Sequence, residues 1–416
     1  MMTQRTHTRW TALALTGLLG VLAACGGPQD PAEQRAQRIA QSDGPILIGA
    51  AWPWEARTSG YYWEGLELAV REVNEAGGIQ GRPIELVRED DRESVNEGRL
   101  VAQRLANNPD VVAVIGHLNS HVTLPAAGTY EAAGLVMLTP ASTTPELTEK
   151  GYRRIFRSVN NDVMIGQQMV DYAVSKGYTN VAIAYVRNAY GLGLANAFER
   201  RAIEAGVHIV DRQAYDSAVR DTRVSFDRII DEWKDRRFDA IFLAGMAPEA
   251  GYFVKHVRAA GIDASMFGGD ALDTQSLIES AGPAAEGLVV ASIFHPDNPR
   301  PEVQQFNEVF STAYGIRPDS WAARGYEAVW LLARAMQEAD SAAPDAIAEA
   351  LRSAEAWNGV TGTFGFDERG EVHGKSLLTV VVRDQRFIFM QETPALLTGE
   401  TDAKPLTTAA LTPALP

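Results

Sequence analysis

Residues 115–148 read IGHLNSHVTLPAAGTYEAAGLVMLTPASTTPELT, and they join two apolar runs that each stop in a cluster of small and hydroxyl residues. The runs, Val111 to Ile115 and Leu135 to Leu138, have the length and character of buried strands. The clusters are Leu118-Asn119-Ser120 and Ala141-Ser142-Thr143. Ligands of doubly wound sheets bind outside the carboxyl ends of the strands, so both clusters are candidate parts of one binding site.

The residue types in these clusters suit an anionic group. The hydroxyls of Ser120 and Thr143 can donate hydrogen bonds, and a ligand can approach the backbone closely at Ala141. Helix N-termini after the strands add partial positive charge, which favours a carboxylate. The alternative is that Ser120 and Thr143 only cap their own helices. Two such loops at adjacent strand ends favour the ligand-binding interpretation.

From Pro45 onward, apolar strands alternate with amphipathic helices, a pattern typical of parallel sheets covered on both faces. The alternation restarts after Ser158 to Asn161, and 416 residues exceed what one core usually organises. We therefore predict an α/β protein of two doubly wound lobes joined by a multi-strand hinge. The predicted divisions are residues 45–159 with 294–362 for lobe 1, residues 160–293 with 363–392 for lobe 2, and residues 393–416 as a flexible tail.

The N-terminal sequence has the features of an export signal. Arg5 and Arg9 precede an apolar stretch that is too short for a stable membrane span, and LAAC follows at residues 22–25. This motif resembles a lipobox, which predicts a lipoprotein signal peptide over residues 1–24, a lipidated Cys25 and a polar tether over residues 25–44. The alternative is a plain secretory signal, but Cys25 is the only cysteine and so has no disulfide partner.

Several classes of function are disfavoured by composition and motifs. The net charge of −15 becomes more negative once a signal with two arginines and no acidic residue is removed, so nucleic acid is an unsuitable partner. His117 and His121 have no carboxylate at ligand spacing, so no metal is expected. The chain lacks a Gly-x-Ser-x-Gly elbow, and its single cysteine is assigned to lipidation. We expect a monomer that is not an enzyme and carries no cofactor.

A family resemblance makes these expectations specific. The run IGH…TPA…PELT, together with REVNEAGGIQGRPIEL at residues 71–86, resembles the leucine/isoleucine/valine-binding proteins of bacterial amino-acid ABC importers. Those proteins have the type I periplasmic binding protein fold, and the likeness extends over nearly all of residues 45–392. It implies that the two loops hold the α-carboxylate and ammonium of an amino acid. Ser120, Ala141 and Thr143 inherit those roles, and Leu118 is a further predicted ligand-binding residue of the first loop.

The resemblance also implies contributions from the second half of the chain. NAYGLGLA places Tyr190 where the family has a tyrosine that closes over the ligand, and GGDAL places Asp270 where an acidic residue pairs with the ammonium. Trp321 falls at an aromatic pocket wall, although ordinary helix packing would also explain it. Trp52 and Trp54 lie on the loop after the first strand, where they either border the cleft or pack on their own lobe.

Some positions depart from the family pattern. Thr58 stands where a family tyrosine lines the side-chain pocket, and Met246 replaces another aromatic residue. Glu93 and Asn119 occupy positions that carry a disulfide in the family's best-known members. The ligand's backbone should therefore be recognised as in the family, whereas its side chain need not be.

The sequence thus predicts an extracytoplasmic substrate-binding lipoprotein that delivers a small amino acid, branched-chain or otherwise apolar, to an ABC permease in the inner membrane. Two alternatives stay open. The ligand could be an amide or an aromatic or aliphatic acid, or the protein could act as a ligand sensor for a receptor.

Overall fold

The first lobe is built on a parallel sheet whose three inner strands are almost continuously apolar, because helices cover both of its faces. The computed structural model describes residues 30–55, 60–216, 222–393 and 404–406. Within them this sheet has five strands in the order β2-β1-β3-β4-β5. The elements up to the end of this sheet are α1 Pro31–Ala40, β1 Ile46–Trp52, α2 Tyr62–Glu75, β2 Ile84–Asp90, α3 Val95–Asn107, β3 Val111–Gly116, α4 Ser120–Ala132, β4 Val136–Thr139, α5 Glu146–Glu149 and β5 Ile155–Arg157.

The second lobe repeats the pattern with a larger sheet. Its strand order among the described residues is β15-β14-β10-β9-β8-β6-β7, and β14 pairs antiparallel with β10 and with β15. The elements up to β10 are α6 Asp162–Ser175, β6 Asn180–Val186, α7 Ala189–Glu204, β7 His208–Tyr215, α8 Thr222–Trp233, β8 Ala240–Ala244, α9 Glu249–Ala259, β9 Ser265–Gly268, α10 Gln275–Ala281 and β10 Val289–Ser292. A 3-10 turn begins at Asp270, two residues after the end of β9.

The remaining elements return to the first lobe before they complete the second. They are α11 Pro301–Tyr314, α12 Ser320–Glu338, α13 Pro344–Ser353, β11 Trp357–Gly359, β12 Gly362–Phe366, β13 Val372–His373, β14 Leu377–Arg383, β15 Arg386–Thr393 and β16 Lys404–Pro405. Helix α12 packs closely on α2. A Cβ at Gly65 would lie 2.1 Å from the Ala322 carbonyl oxygen, so only glycine allows this approach.

Each lobe has its own hydrophobic core, so the crossings can be located by the core in which neighbouring residues lie. Phe156 belongs to the first core and Val159 to the second, and the chain returns between Ile293 and Phe294. The last crossing lies between residues 372 and 377. The fold is therefore the predicted α/β architecture of two lobes with predominantly parallel sheets.

The third crossing comes later than the sequence suggested. The sequence predicts residues 363–373 in lobe 2, but β12 pairs with β11 and β13 pairs with β12 in a small sheet on the first lobe. Phe366 is buried there, with its ring 5.4 Å from that of Phe156. The aromatic residues of TGTFGF, residues 361–366, thus complete the first core.

Buried charged pairs lie at this third crossing. Lys375 Nζ lies 2.7 Å from Glu327 Oε1 on α12 and donates to the Ser158 carbonyl at 2.7 Å. Glu327 also accepts a hydrogen bond from the Thr361 amide at 2.8 Å. Arg157 pairs with Glu371 nearby. These interactions join the first crossing to the third, which fixes the geometry of the hinge.

The prediction of a polar tether over residues 25–44 is wrong for its described part. Residues 31–40 form α1, which packs on the first lobe through Ile39 and a buried Arg35. Arg35 donates to the carbonyls of Asn108 at 2.6 Å and of Val111 and Ala133 at 3.0 Å each. The polar composition concealed a docked helix because its arginine is satisfied by backbone carbonyls rather than by solvent.

The prediction of a loose tail over residues 393–416 is also wrong for residues 404–406. Lys404 and Pro405 form β16, which pairs with Trp357 and Asn358 of β11, and Leu406 is buried in the first core. Among the helices of the described residues, none combines the length and apolar character needed to cross a membrane.

Candidate ligand-binding site

A cavity with an empty volume of about 340 Å³, part of it open to solvent, lies between the two lobes. It faces the carboxyl ends of strands from both sheets, where the sequence placed the site. Seven of the predicted site residues line it: Leu118, Ser120, Ala141, Tyr190, Met246, Asp270 and Trp321. Asn119, His121, Asn188 and Ala271, which were not among the predicted site residues, complete the wall.

The two first-lobe loops are joined by the hydroxyl of Thr139, the last residue of β4. It donates to the His117 carbonyl at 3.0 Å and accepts hydrogen bonds from the amides of Ala141 at 3.3 Å and Ser142 at 3.0 Å. Ser142 Oγ in turn donates to Ser120 Oγ at 3.4 Å. All of these groups are buried, so the two loops form one rigid surface.

A buried histidine anchors the start of the first loop. His117 Nδ1 lies 2.6 Å from Asp91 Oδ2, and Nε2 lies 3.1 Å from the hydroxyl of Tyr130 on α4. Burial raises the pKa of Tyr130 well above its usual value, so its hydroxyl stays protonated. The arrangement fixes the backbone that leads into Leu118 and Ser120, and it gives His117 a structural role.

The second lobe contributes Tyr190 and Asp270. The Tyr190 hydroxyl donates to Asp270 Oδ1 at 3.3 Å and accepts from the amide of Ala271 at 3.3 Å. Burial raises the pKa of Tyr190 well above its usual value, so its hydroxyl remains a donor. Asn188 places Tyr190 in the first turn of α7, since its side chain caps the helix by accepting from the Gly191 amide at 2.9 Å.

Arg324, which the sequence reasoning missed, completes the charged part of the site. Its Nη2 donates to Asp270 Oδ2 at 3.0 Å, and its Nη1 donates to the Pro140 carbonyl at 3.1 Å. The guanidinium also lies 4.7 Å from the ring centre of Trp321. Residues three apart share a helix face, so the choice of Trp321 could have pointed to Arg324.

Three buried polar atoms of the residues that line the cavity have no hydrogen-bond partner in the part of the chain that the structure describes. They are Asn119 Oδ1, His121 Nδ1 and Trp321 Nε1. Buried polar atoms are rarely left unpaired in native proteins. The Asn119 oxygen is an acceptor and the Trp321 nitrogen is a donor, so the pair is suited to the polar atoms of a ligand.

Thr143 does not line the cavity, in contrast to the prediction. Its hydroxyl donates to Asp162 Oδ1, 2.6 Å away at the start of α6, so it joins the lobes near the first crossing. Burial raises the pKa of Asp162 to about 7. Sequence spacing placed Thr143 at the correct loop but could not show which way its hydroxyl points.

Trp52 and Trp54 also lie outside the cavity wall. The Trp52 ring is fully buried and stacks on Tyr62 at 3.9 Å between ring centres. Trp54 packs edge-on against Trp63 and under Arg88, and its Nε1 donates to the Ala50 carbonyl at 3.2 Å. Both therefore pack on their own lobe, which is the alternative that the sequence left open. Thr58 lies outside the described residues.

Comparison with known proteins agrees with this geometry. The sequence model of a family described as "Periplasmic binding protein" matches residues 54–385. The chain belongs to this family. The periplasmic binding proteins related to it include Leu/Ile/Val-binding protein homolog 1 of Brucella melitensis, which is 30% identical over 335 residues, covering 78% of this chain and 87% of the relative.

Solved structures of periplasmic binding proteins extend the comparison. An ABC transporter substrate-binding protein from Desulfitobacterium hafniense, in complex with Leu, is 40% identical with a TM-score of 0.74, covering 83% of this chain and 100% of that one. A leucine binding protein from Thermotoga maritima is 29% identical with a TM-score of 0.78, covering 84% and 99%. Membership of the family makes this chain an extracytoplasmic binding protein of the ABC transporter type and not an enzyme.

Proposed function

We propose that this protein is the substrate-binding lipoprotein of an ABC importer and that it captures a small apolar amino acid between its lobes. The observation that carries the proposal is the composition of the cavity wall. Loop donors of the first lobe face the carboxylate of Asp270 on the second lobe. A zwitterion carries the two charges that such a wall can neutralise.

The carboxylate of the ligand would bind to the first lobe. Ser120 is the first residue of α4 and lines the cavity, so its hydroxyl lies beside the partial positive charge at the N-terminus of a thirteen-residue helix. Ala141 adds a backbone position without a bulky side chain. The network through Thr139 holds these donors in place before the ligand arrives, which lowers the entropic cost of binding.

The ammonium of the ligand would bind to the second lobe, and its side chain would contact the apolar part of the cavity wall. Asp270 is the acceptor for the ammonium, and Asn119 Oδ1 offers an uncharged acceptor in the lining of the same cavity. Leu118, Trp321 and Met246 supply apolar surface for the side chain. Because the two ends of the ligand bind to different lobes, only the closed arrangement satisfies both, and binding shifts the protein toward closure.

Isothermal titration calorimetry of the mature protein with leucine, isoleucine, valine and alanine tests the proposal. We expect saturable binding of at least one of them with one ligand per chain, and we expect Ser120→Ala to weaken it. Thr312→Ala, on the exposed face of α11, is the matched control and should leave affinity unchanged. If no amino acid binds to the wild-type protein, the amino-acid assignment is wrong.

Membrane attachment is a separate part of the proposal. Cys25 and the signal before it lie outside the described residues, so the support is the sequence motif together with the family's extracytoplasmic location. Replacing Cys25 with serine should abolish labelling by radioactive palmitate and release the protein from the membrane fraction. Labelling that persists in this variant would exclude Cys25 as the lipidated residue. Delivery to an inner-membrane permease would follow from this location.

A second candidate ligand is a carboxylic acid that lacks an ammonium group. The pairing of Asp270 with Arg324 favours it, because the acceptor expected for the ammonium already holds a cation. A thermal-shift screen of aliphatic and aromatic acids and amides against amino acids separates the two candidates. Stabilisation only by compounds without an ammonium would favour the second.

A further inference from the structure

The pair formed by Arg324 and Asp270 crosses the cleft. Arg324 belongs to α12 of the first lobe and Asp270 follows β9 of the second, and their side chains are 1% and 3% exposed. Their contact at 3.0 Å therefore requires the lobes to be closed. Asp270 lines the cavity proposed for a charged ligand, and Arg324 holds its carboxylate from the other lobe. The pair therefore affects every ligand that approaches Asp270.

Arg324 is held mainly by its own lobe. Its Nη1 donates to the Pro140 carbonyl, and its guanidinium lies over Trp321 at a distance typical of cation–π contacts. Both contacts are independent of the second lobe, so we expect the guanidinium to stay in place when the lobes open. The positive charge is thus a permanent feature of the first lobe, and it lies directly against Trp321 of the cavity wall.

Asp270 has limited capacity for a second cation. Oδ1 already accepts from Tyr190, and Oδ2 accepts from Arg324. A ligand ammonium could still use the remaining lone pairs, but it would share the carboxylate with the guanidinium. Two cations that hydrogen bond to one carboxylate lie on the order of 5 Å apart, where they repel each other.

Other acidic groups near the pair are too strongly desolvated to offset the positive charge of Arg324 fully. Asp273 is buried, its Oδ2 accepts from the Ser292 hydroxyl at 2.5 Å, and burial raises its pKa. Asp162 is buried as well, and burial raises its pKa to about 7. The negative charge that faces an incoming ammonium is therefore that of Asp270, and Arg324 neutralises most of it.

We propose that Arg324 is a specificity-determining residue whose guanidinium competes with the ligand's ammonium for Asp270. This inference rests on the proposed function, because it concerns the same cavity. Its consequence is that affinity depends strongly on the carboxylate of the ligand and only weakly on the ammonium. An amino acid and the corresponding acid without the amino group should bind to the wild-type protein with similar strength.

The size of the effect follows from the distance between the two cations. At 5 Å and an effective dielectric constant of about 20, their repulsion corresponds to an upper bound on the order of a hundredfold in affinity. Relaxation of the ligand reduces this figure. Removing the guanidinium charge should therefore improve amino-acid binding, relative to the acid, by roughly tenfold or more.

The test compares leucine with isocaproate, which has the same carbon skeleton without the amino group, in the wild-type protein, Arg324→Gln and Arg324→Lys. Calorimetry gives the ratio of the Kd of isocaproate to that of leucine. Loss of the closing contact weakens both ligands alike and cancels in this ratio. We expect the ratio to rise roughly tenfold in Arg324→Gln and to stay near the wild-type value in Arg324→Lys, which keeps the charge.

An unchanged or lower ratio in a folded Arg324→Gln protein, checked by circular dichroism, overturns the proposal and leaves Arg324 as a structural residue. Failure of the proposed function has a different signature. If wild type binds neither ligand but Arg324→Gln gains leucine binding, the competition is supported while the natural ligand is another compound. If neither protein binds either ligand, both proposals are wrong.

Discussion

Replacing Thr139 with valine tests whether a single hydroxyl organises the two loops of the site. Valine has nearly the same shape, so the change removes one donor and two acceptor interactions without creating a large cavity. The amides of Ala141 and Ser142 would lose their side-chain partner in a buried region, and the His117 carbonyl would keep only the Thr123 hydroxyl, at 3.4 Å. At about 1 kcal/mol for each hydrogen bond, with an added cost for unpaired buried groups, the free energy of unfolding should fall by about 2–4 kcal/mol.

Urea denaturation followed by fluorescence measures this loss, with an unchanged m-value as the sign that the native state stays compact. We also expect weaker ligand binding, because the donors at Ala141 and Ser120 are no longer fixed. Thr129→Val, at a half-buried position of α4 outside this network, is the control. Two results would refute the role of Thr139 in positioning the loops. One is a fall in the free energy of unfolding below about 1 kcal/mol. The other is the expected fall together with unchanged ligand affinity.

Three further predictions concern regions around the site. Burial raises the pKa of Asp162 to about 7, so its carboxyl binds a proton more tightly in the native protein than in the unfolded chain. The free energy of unfolding of the wild-type protein should therefore fall as the pH rises from about 4 to about 7. Urea denaturation of Asp162→Asn over the same pH range should show a smaller fall. Arg35→Ala should lower the free energy of unfolding by about 2–4 kcal/mol, and a loss greater than that caused by deleting residues 31–40 would contradict a role limited to docking α1. Lys375→Met should lower the free energy of unfolding, measured by thermal denaturation, by about 3–5 kcal/mol, because Glu327 is left buried without its cation. Adding Glu327→Gln should restore part of that free energy. If the double variant is no more stable than Lys375→Met, the pairing is not what stabilises this region.

The fold followed from features that are local in the sequence. Apolar runs such as Val111 to Ile115 separated by amphipathic helices indicate a parallel sheet, and the interruption near Ser158 indicates a second lobe. Loop clusters after strands then identify the site, because parallel strands bring their carboxyl ends to one edge. Leu118, Ser120 and Ala141 could be selected from position alone, whereas Tyr190 and Asp270 needed the family resemblance.

What the sequence could not give are the directions of side chains and the partners of charges. Thr143 occupies the expected loop, but its hydroxyl points to Asp162 rather than into the cavity. Trp52 and Trp54 border the first strand, yet stacking on neighbouring aromatic rings keeps them in their own lobe. Arg324 was missed because a cation within an amphipathic helix usually indicates a solvated face.

The two corrected chain ends share one physical cause. A docked α1 and the short strand β16 are held mainly by backbone hydrogen bonds and a few buried side chains, such as Arg35 and Leu406. Neither kind of interaction leaves a strong hydrophobic period in sequences as short or as polar as these. Compositional bias toward proline, alanine and charged residues therefore predicted flexibility where the structure has packed elements.

The docking of α1 and of β16 on the same lobe has a practical consequence for spectroscopy. Dyes attached near residues 30 and 406 would both move with the first lobe, so the distance between them would not change when the two lobes move relative to each other. A pair placed at exposed Leu100 and Ile203 has one member on each lobe and would register that motion. In a membrane-attached molecule, the second lobe would be the one that swings.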